Sequence, residues 1–158
     1  MKAIVYYGST TGTCEDLAGR IGKALGAEVK NVSELDSSAV DADLLVLGTS
    51  TWGAGDVQDD WYSALDTLKG LSLAGKKVAI FGCGDSASYP DTFCGGMKAV
   101  YNAALAAGAT IVGEVSTEGY QFDDSEAVVD GKFVGLALDE MNEPDKTDER
   151  ISAWVATL

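Results

Sequence analysis

The chain has no histidine, two prolines, three cysteines and only eleven basic residues against 25 acidic ones over its 158 positions. With no histidine and with Cys14, Cys83 and Cys94 scattered, no zinc site is expected. An odd number of cysteines without C-x-x-C spacing argues against a disulfide framework and against a thiol redox motif. Long apolar runs are missing as well. Ala3 to Tyr7 and Leu44 to Leu47 are far too short to span a bilayer, and the first residues offer neither a basic n-region nor a long apolar h-region, which predicts a cytoplasmic chain. The shortage of basic residues gives a net charge of −14, which repels nucleic acid and anionic membrane and favours a basic protein partner.

What is present suits one compact domain over residues 1–158, since 46% hydrophobic composition supplies a substantial core and no linker or repeat interrupts it. A monomer is expected. The acidic charge is uneven: Glu118 to Glu149 holds 11 of the 25 acids against Lys132 and Lys146. This stretch reads either as solubilising charge or as an electrostatic docking face, and composition alone leaves both open.

Residues 5 to 16 carry the densest local information. A buried strand, Val5-Tyr6-Tyr7, empties into Gly8, Ser9, Thr10, Thr11, Gly12 and Thr13, and a helix follows. Backbone N–H groups at a helix start, with hydroxyls beside them, hold an anion without a cationic side chain. No Lys or Arg lies between Lys2 and Arg20. Taken alone, the loop equally fits an ordinary turn and helix cap. It lacks the Gly-Lys-Ser/Thr ending of Walker-type loops and the G-x-G-x-x-G dinucleotide fingerprint. The Cys14 to Arg20 spacing matches that of small tyrosine phosphatases, but a helix there turns Arg20 well away from Cys14.

Apolar runs bounded by turns predict strands at Ala3 to Tyr7, Glu28 to Asn31, Leu44 to Gly48, Val78 to Cys83 and Thr110 to Val115. Helical periodicity predicts helices at Glu15 to Leu25, Trp61 to Leu68, Met97 to Ala107 and Thr147 to Thr157. Strict alternation means an α/β chain with a parallel sheet and helices on both faces. Ligands in such sheets bind outside the strand C-termini, so the loops after Tyr7, Gly48 and Cys83 should converge. The second and third loops each place one large aromatic, Trp52 or Tyr89, among glycines and small polar residues. Either is unremarkable alone, yet together they are able to sandwich a flat ring. A phosphate loop with two aromatic walls describes a nucleotide-like ligand with a large planar head.

On these motifs the sequence resembles the flavodoxins, from Lys2 to Leu158. Tyr-Gly-Ser-Thr-Thr-Gly-Thr at 7–13 resembles the family's FMN phosphate loop, Thr51-Trp52-Gly53 its first isoalloxazine loop, and Gly82-x-Gly84-Asp85-x-x-x-Tyr89-x-Asp91-x-Phe93 its second. Residues 117–140 resemble the insertion that splits the fifth strand in the long-chain subgroup, with Phe133 to Leu138 completing that strand. The resemblance implies a doubly wound five-stranded parallel sheet of order 2-1-3-4-5. It also implies an FMN site of Ser9, Thr10, Thr11, Gly12, Thr13 and Cys14 at the phosphate. The ring would lie among Thr49, Ser50, Thr51, Trp52, Gly53 and Ala54 on one side and Cys83, Gly84, Asp85, Tyr89, Asp91, Phe93 and Cys94 on the other. Two positions depart from the family pattern. Cys14 stands where a Thr is usual and keeps only its amide for the phosphate, and Met141 stands where an Asp often lies near the ribityl chain.

The function implied is a low-potential one-electron carrier, not an enzyme, cycling FMN between semiquinone and hydroquinone and shuttling electrons between redox proteins with basic docking faces. A lysine-free acidic pocket disfavours the reduced anion, which makes the couple strongly reducing. In the family a backbone carbonyl after the tryptophan accepts a hydrogen bond from the flavin N5–H, and Gly53 C=O is the matching group; the alternative is that Gly53 is simply a turn residue. The alternative is an FMN-dependent NAD(P)H or quinone reductase on the same fold, for which no second fingerprint is evident. A phospho-acceptor domain is disfavoured because Tyr7-Gly8-Ser9 replaces the acidic residues it needs.

Overall fold

Strand β1 (Ala3–Gly8) sits in mid-sheet, and its apolar run is continuous because both faces are covered: Ile4 and Tyr6 enter one core, Val5 the other. The computed structural model describes residues 2–10, 12–52 and 55–158. Helix α1 (Thr13–Leu25) follows, then β2 (Glu28–Asn31), β3 (Leu44–Trp52), β4 (Asp56–Val57), α2 (Trp61–Lys69), β5 (Lys77–Cys83) and α3 (Met97–Ala106). The chain continues through β6 (Thr110–Val112), β7 (Val115–Ser116), β8 (Val128–Val129), β9 (Lys132–Phe133) and β10 (Leu136–Leu138), and closes with α4 (Thr147–Val155). Strands run in the order β10-β5-β3-β1-β2, with parallel pairing throughout this path.

The two-residue side-chain period of the strands sorts the core into two layers. Leu45, Leu47, Val78 and Ile80 pack with Trp61, Leu68, Met97 and Val100 of α2 and α3. Leu44, Val46, Ala79 and Phe81 pack with Leu17 and Ile21 of α1 and with Ile151 and Trp154 of α4. Helices thus cover both faces, as alternation of strands and helices requires. The charged edge strand β2 carries Glu28 and Lys30, which protects its open side. No helix among the described residues is long and apolar enough to cross a membrane.

Two strand expectations need correction. Leu44 to Gly48 continues four residues further to Trp52, because β5 pairs with it as far as Ser50 and β4 then pairs antiparallel at Thr51 and Trp52. The expected strand Thr110 to Val115 ends at Val112, since Gly113 takes φ 78 and turns the chain away. Both β6 and β10 pair with β5, the first at Lys77–Ala79 and the second at Phe81–Cys83. Phe133 does not belong to β10; with Lys132 it pairs in a separate antiparallel sheet β7-β9-β8. That small sheet is fastened by an aromatic cluster in which Phe133 meets Tyr120 at 4.9 Å and Phe122 at 5.2 Å between ring centroids. Tyr120 also donates its hydroxyl to Ala137 O at 2.8 Å, and burial pushes that phenol up to about 12.

Candidate functional site

The loops after β1, β3, β5 and β10 leave the same edge of the sheet because those strands are parallel. In the first loop, Gly8 is tight: a Cβ there would press on Gln58 Oε1 and lie 2.7 Å from Trp61 Cδ1. Gly12 is the N-cap of α1 at φ 92, a conformation that favours glycine, and a Cβ on it would meet nothing within 4 Å. It has no side chain with which to cap the first helical N–H groups.

Hydroxyl bookkeeping in this loop is informative. Ser9 Oγ accepts the Gly12 N–H at 3.1 Å, and Thr10 Oγ1 accepts Gln58 Nε2 at 3.0 Å. A hydroxyl that already accepts keeps its proton to donate. The loop therefore offers neutral donors, side chain and backbone together, to an anion of phosphate size at a helix N-terminus. Cys14 is fully buried, and its hydrogen bond with the Cys83 thiol, together with burial, pushes it well above the usual thiol range. The side chain faces inward, leaving the amide at the helix start. Arg20 turns toward α4 and pairs with Asp16 at 2.8 Å and with Glu140 and Asp148 at 3.4 Å, remote from the Cys14 thiol in role.

Beside it, β3 extends to Trp52. Thr49 is fully buried and acts as a brace: its Oγ1 donates to Ser50 O at 2.8 Å and accepts the Gln58 N–H at 3.1 Å. Thr51 Oγ1 accepts the Gly96 N–H at 3.1 Å, which ties this segment to the start of α3. Thr11, Gly53 and Ala54 lie outside the described residues, so the expectation for the Gly53 carbonyl does too.

The third loop carries Tyr89, whose ring is 56% exposed where most large aromatics are buried. Its backbone N–H donates to Asp85 O at 2.8 Å. The Asp85 carboxylate accepts the N–H groups of Ala87 and Ser88 at 3.1 and 3.0 Å and Asn142 Nδ2 at 2.8 Å; the Ser88 N–H first, then Asn142, hold it below the usual carboxylate value. Gly84 lies against Cys94, whose N would be 2.8 Å from an added Cβ. Asp91 is exposed. Phe93 is only 1% exposed and stacks on Phe122 at 5.7 Å, so its ring packs in the insertion's aromatic cluster. Cys83 and Cys94 are likewise buried, and burial pushes Cys94 well above the usual thiol range. Met141 is exposed.

Sequence reasoning passed over Gln58, Trp61, Ser86, Asp139 and Asn142, which brace these loops. Gln58 is buried and joins the first loop to the second, and Trp61 Nε1 donates to Gly48 O at 2.9 Å. Only Asp139 had a positional signal, as a carboxylate directly after an apolar strand at the ligand-binding edge. A separate cavity of about 460 Å³ between the insertion and α4 is lined by Val115, Tyr120, Leu136, Arg150 and Trp154. It includes none of these loop residues.

The architecture agrees with known proteins. The Flavodoxin family model matches residues 5–154. Curated relatives include a Picosynechococcus flavodoxin, 42% identical and covering 99% of this chain and 95% of the relative, and Azotobacter vinelandii flavodoxin 1, 40% identical and covering 98% and 93%. Among solved structures, Fusobacterium nucleatum flavodoxin bound to flavin mononucleotide superposes with a TM-score of 0.92 at 31% identity, covering 99% of this chain and 96% of that one. The chain belongs to the flavodoxin family.

Proposed function

We infer that the chain holds one FMN non-covalently and carries electrons between redox proteins, without turning over a small substrate itself. The observation that carries this reading is the cation-free cradle at residues 9–14, where Ser9 and Thr10 hydroxyls already accept protein donors and α1 begins at an open Gly12. The Fusobacterium protein, with FMN bound, has the same fold. FMN, when bound, supplies the redox chemistry; the chain binds, orients and shields it. Ser9 to Cys14 donate hydrogen bonds to the phosphate. Trp52 and Tyr89 flank the ring, with Thr49, Ser50, Thr51, Gly53, Ala54 and Cys83, Gly84, Asp85, Asp91, Phe93 and Cys94 shaping the two loops behind them. The Gly53 C=O would accept a hydrogen bond from the flavin N5–H. With no Lys or Arg in the first loop, added negative charge on the ring is disfavoured, which lowers its potential.

The partners are redox proteins with basic faces, docking on acids near the loops that include Asp56, Asp59, Asp60 and Asp85 and the 118–149 segment. The chain works as a monomer in the cytoplasm. Stepwise reduction of the purified yellow protein, followed by visible spectroscopy, is expected to show two separated one-electron steps, with no oxidation of NAD(P)H by the protein alone. Electron transfer to a basic partner should slow as salt rises, because screening shortens steering to about 8 Å at physiological ionic strength. Salt-independent rates that ignore Asp59→Asn and Asp60→Asn would reduce these acids to solubilising charge.

A further inference from the structure

Asp139 follows β10 directly and is completely buried. A buried carboxyl group is unfavourable unless hydrogen bonds satisfy its oxygens, and here they do. Oδ2 accepts the Ser86 N–H at 3.2 Å and the Ser86 hydroxyl; Oδ1 accepts the Asn142 N–H at 3.0 Å; both oxygens are 3.1 Å from Asn142 Nδ2. Asn142 Nδ2 also reaches Asp85 Oδ1 at 2.8 Å, and Asp85 organises Ala87 and Ser88 and accepts the Tyr89 N–H on its backbone oxygen. Every donor to Asp139 therefore belongs either to the Tyr89 loop or to the turn after β10. Donors from two residues, shared between both carboxylate oxygens, fix angles as well as distances. An apolar residue at 139 would fill the space yet leave Ser86 and Asn142 without their acceptor, and Tyr89, being exposed, has little packing of its own to hold it.

We infer that Asp139 is a positioning residue for the aromatic wall: acting through Ser86 and Asn142, it fixes the segment Asp85–Tyr89 and so the angle at which Tyr89 meets the flavin. This rests on the FMN reading above. The test compares Asp139→Ala, Ser86→Ala and Asn142→Ala with Tyr89→Ala in the full-length holoprotein. Readouts are amide exchange, the visible circular dichroism of bound FMN, and the FMN dissociation constant. Asp139→Ala is expected to speed exchange at Ala87, Ser88 and Tyr89 at least tenfold with β1 and β3 unchanged, to alter the flavin dichroism, and to weaken FMN at least tenfold. Added to Tyr89→Ala, it should cost less than a further twofold, because both changes remove the same contact. Ser86→Ala and Asn142→Ala should give the same pattern at smaller size, and they decide the matter if Asp139→Ala does not fold. Additive losses, or unaltered exchange at residues 87–89 in the Ser86 and Asn142 variants, overturn the positioning role. Parent protein that binds no FMN overturns the functional reading instead, and the exchange comparison still judges Asp139.

Discussion

The loop after β1 reaches its helix across residues 9–12, whereas the loop after β5 wanders from 84 to 96 before α3 begins. The short one is built from backbone N–H groups, hydroxyls and glycine, with Gln58 tying Thr10 to the neighbouring loop. The long one is held from behind by two carboxylates, Asp85 and Asp139, and rooted in the buried ring of Phe93. On the function proposed above, the difference follows from what each loop would meet. A phosphate is small and highly charged, so a stiff ring of donors at one helix end suffices. A flat ring needs area, and an exposed aromatic that supplies area has to be anchored elsewhere.

The largest expected effect separates the two loops outright. If donors at Ser9 to Cys14 carry the affinity, FMN should bind about a thousandfold more tightly than riboflavin, which is about 4 kcal/mol, the sum of two or three charged hydrogen bonds. Titration of the apoprotein with both flavins measures it, and equal affinities would break the comparison. Next comes the shape of the short loop. Gly8→Ala pushes a methyl into Gln58 and Trp61, so urea unfolding should register a loss of about 1–3 kcal/mol, as overpacking typically costs. An unchanged midpoint would mean that Gln58 yields freely and ties nothing.

The smallest effect sharpens the account of the long loop. Hydrogen bonds from the Ser88 N–H and from Asn142 hold Asp85 below its usual value of 3.8. Its stabilisation is therefore complete above that value and is lost as pH falls below it through the lowered folded-state value. Removing Asn142 returns Asp85 toward its usual value. In Asn142→Ala, acid release of FMN, read by the recovery of flavin fluorescence, should set in at a slightly higher pH than in the parent. Coincident release curves would show that Asp85 does not govern this loop.

Much of this was legible beforehand at particular residues. Ala3 to Tyr7 announced a buried strand, and the periodicity of Glu15 to Leu25 announced α1, whose Leu17, Ala18 and Ile21 are buried. Tyr89 was picked out as an aromatic among small polar residues, and it is exposed. Phe93, in the same stretch, is buried, and composition records that a ring is present and not which way it turns. The fifth strand was misjudged at both ends for a related reason: Val115 and Phe133 are as apolar as true strand residues, and they pair with each other in the smaller sheet.

The sequence by itself determined the alternation of strands and helices, the two-sided core and the chemical character of the first loop, because each of these is written in neighbouring residues and in short-range periodicity. Only the tertiary structure decided which polar atoms meet. Gln58 finds Thr10 across 48 residues, and Asp139 finds Ser86 across 53. Such pairs leave no periodic trace along the chain; they exist because parallel strands deliver distant segments to one edge, where buried donors and acceptors must satisfy one another.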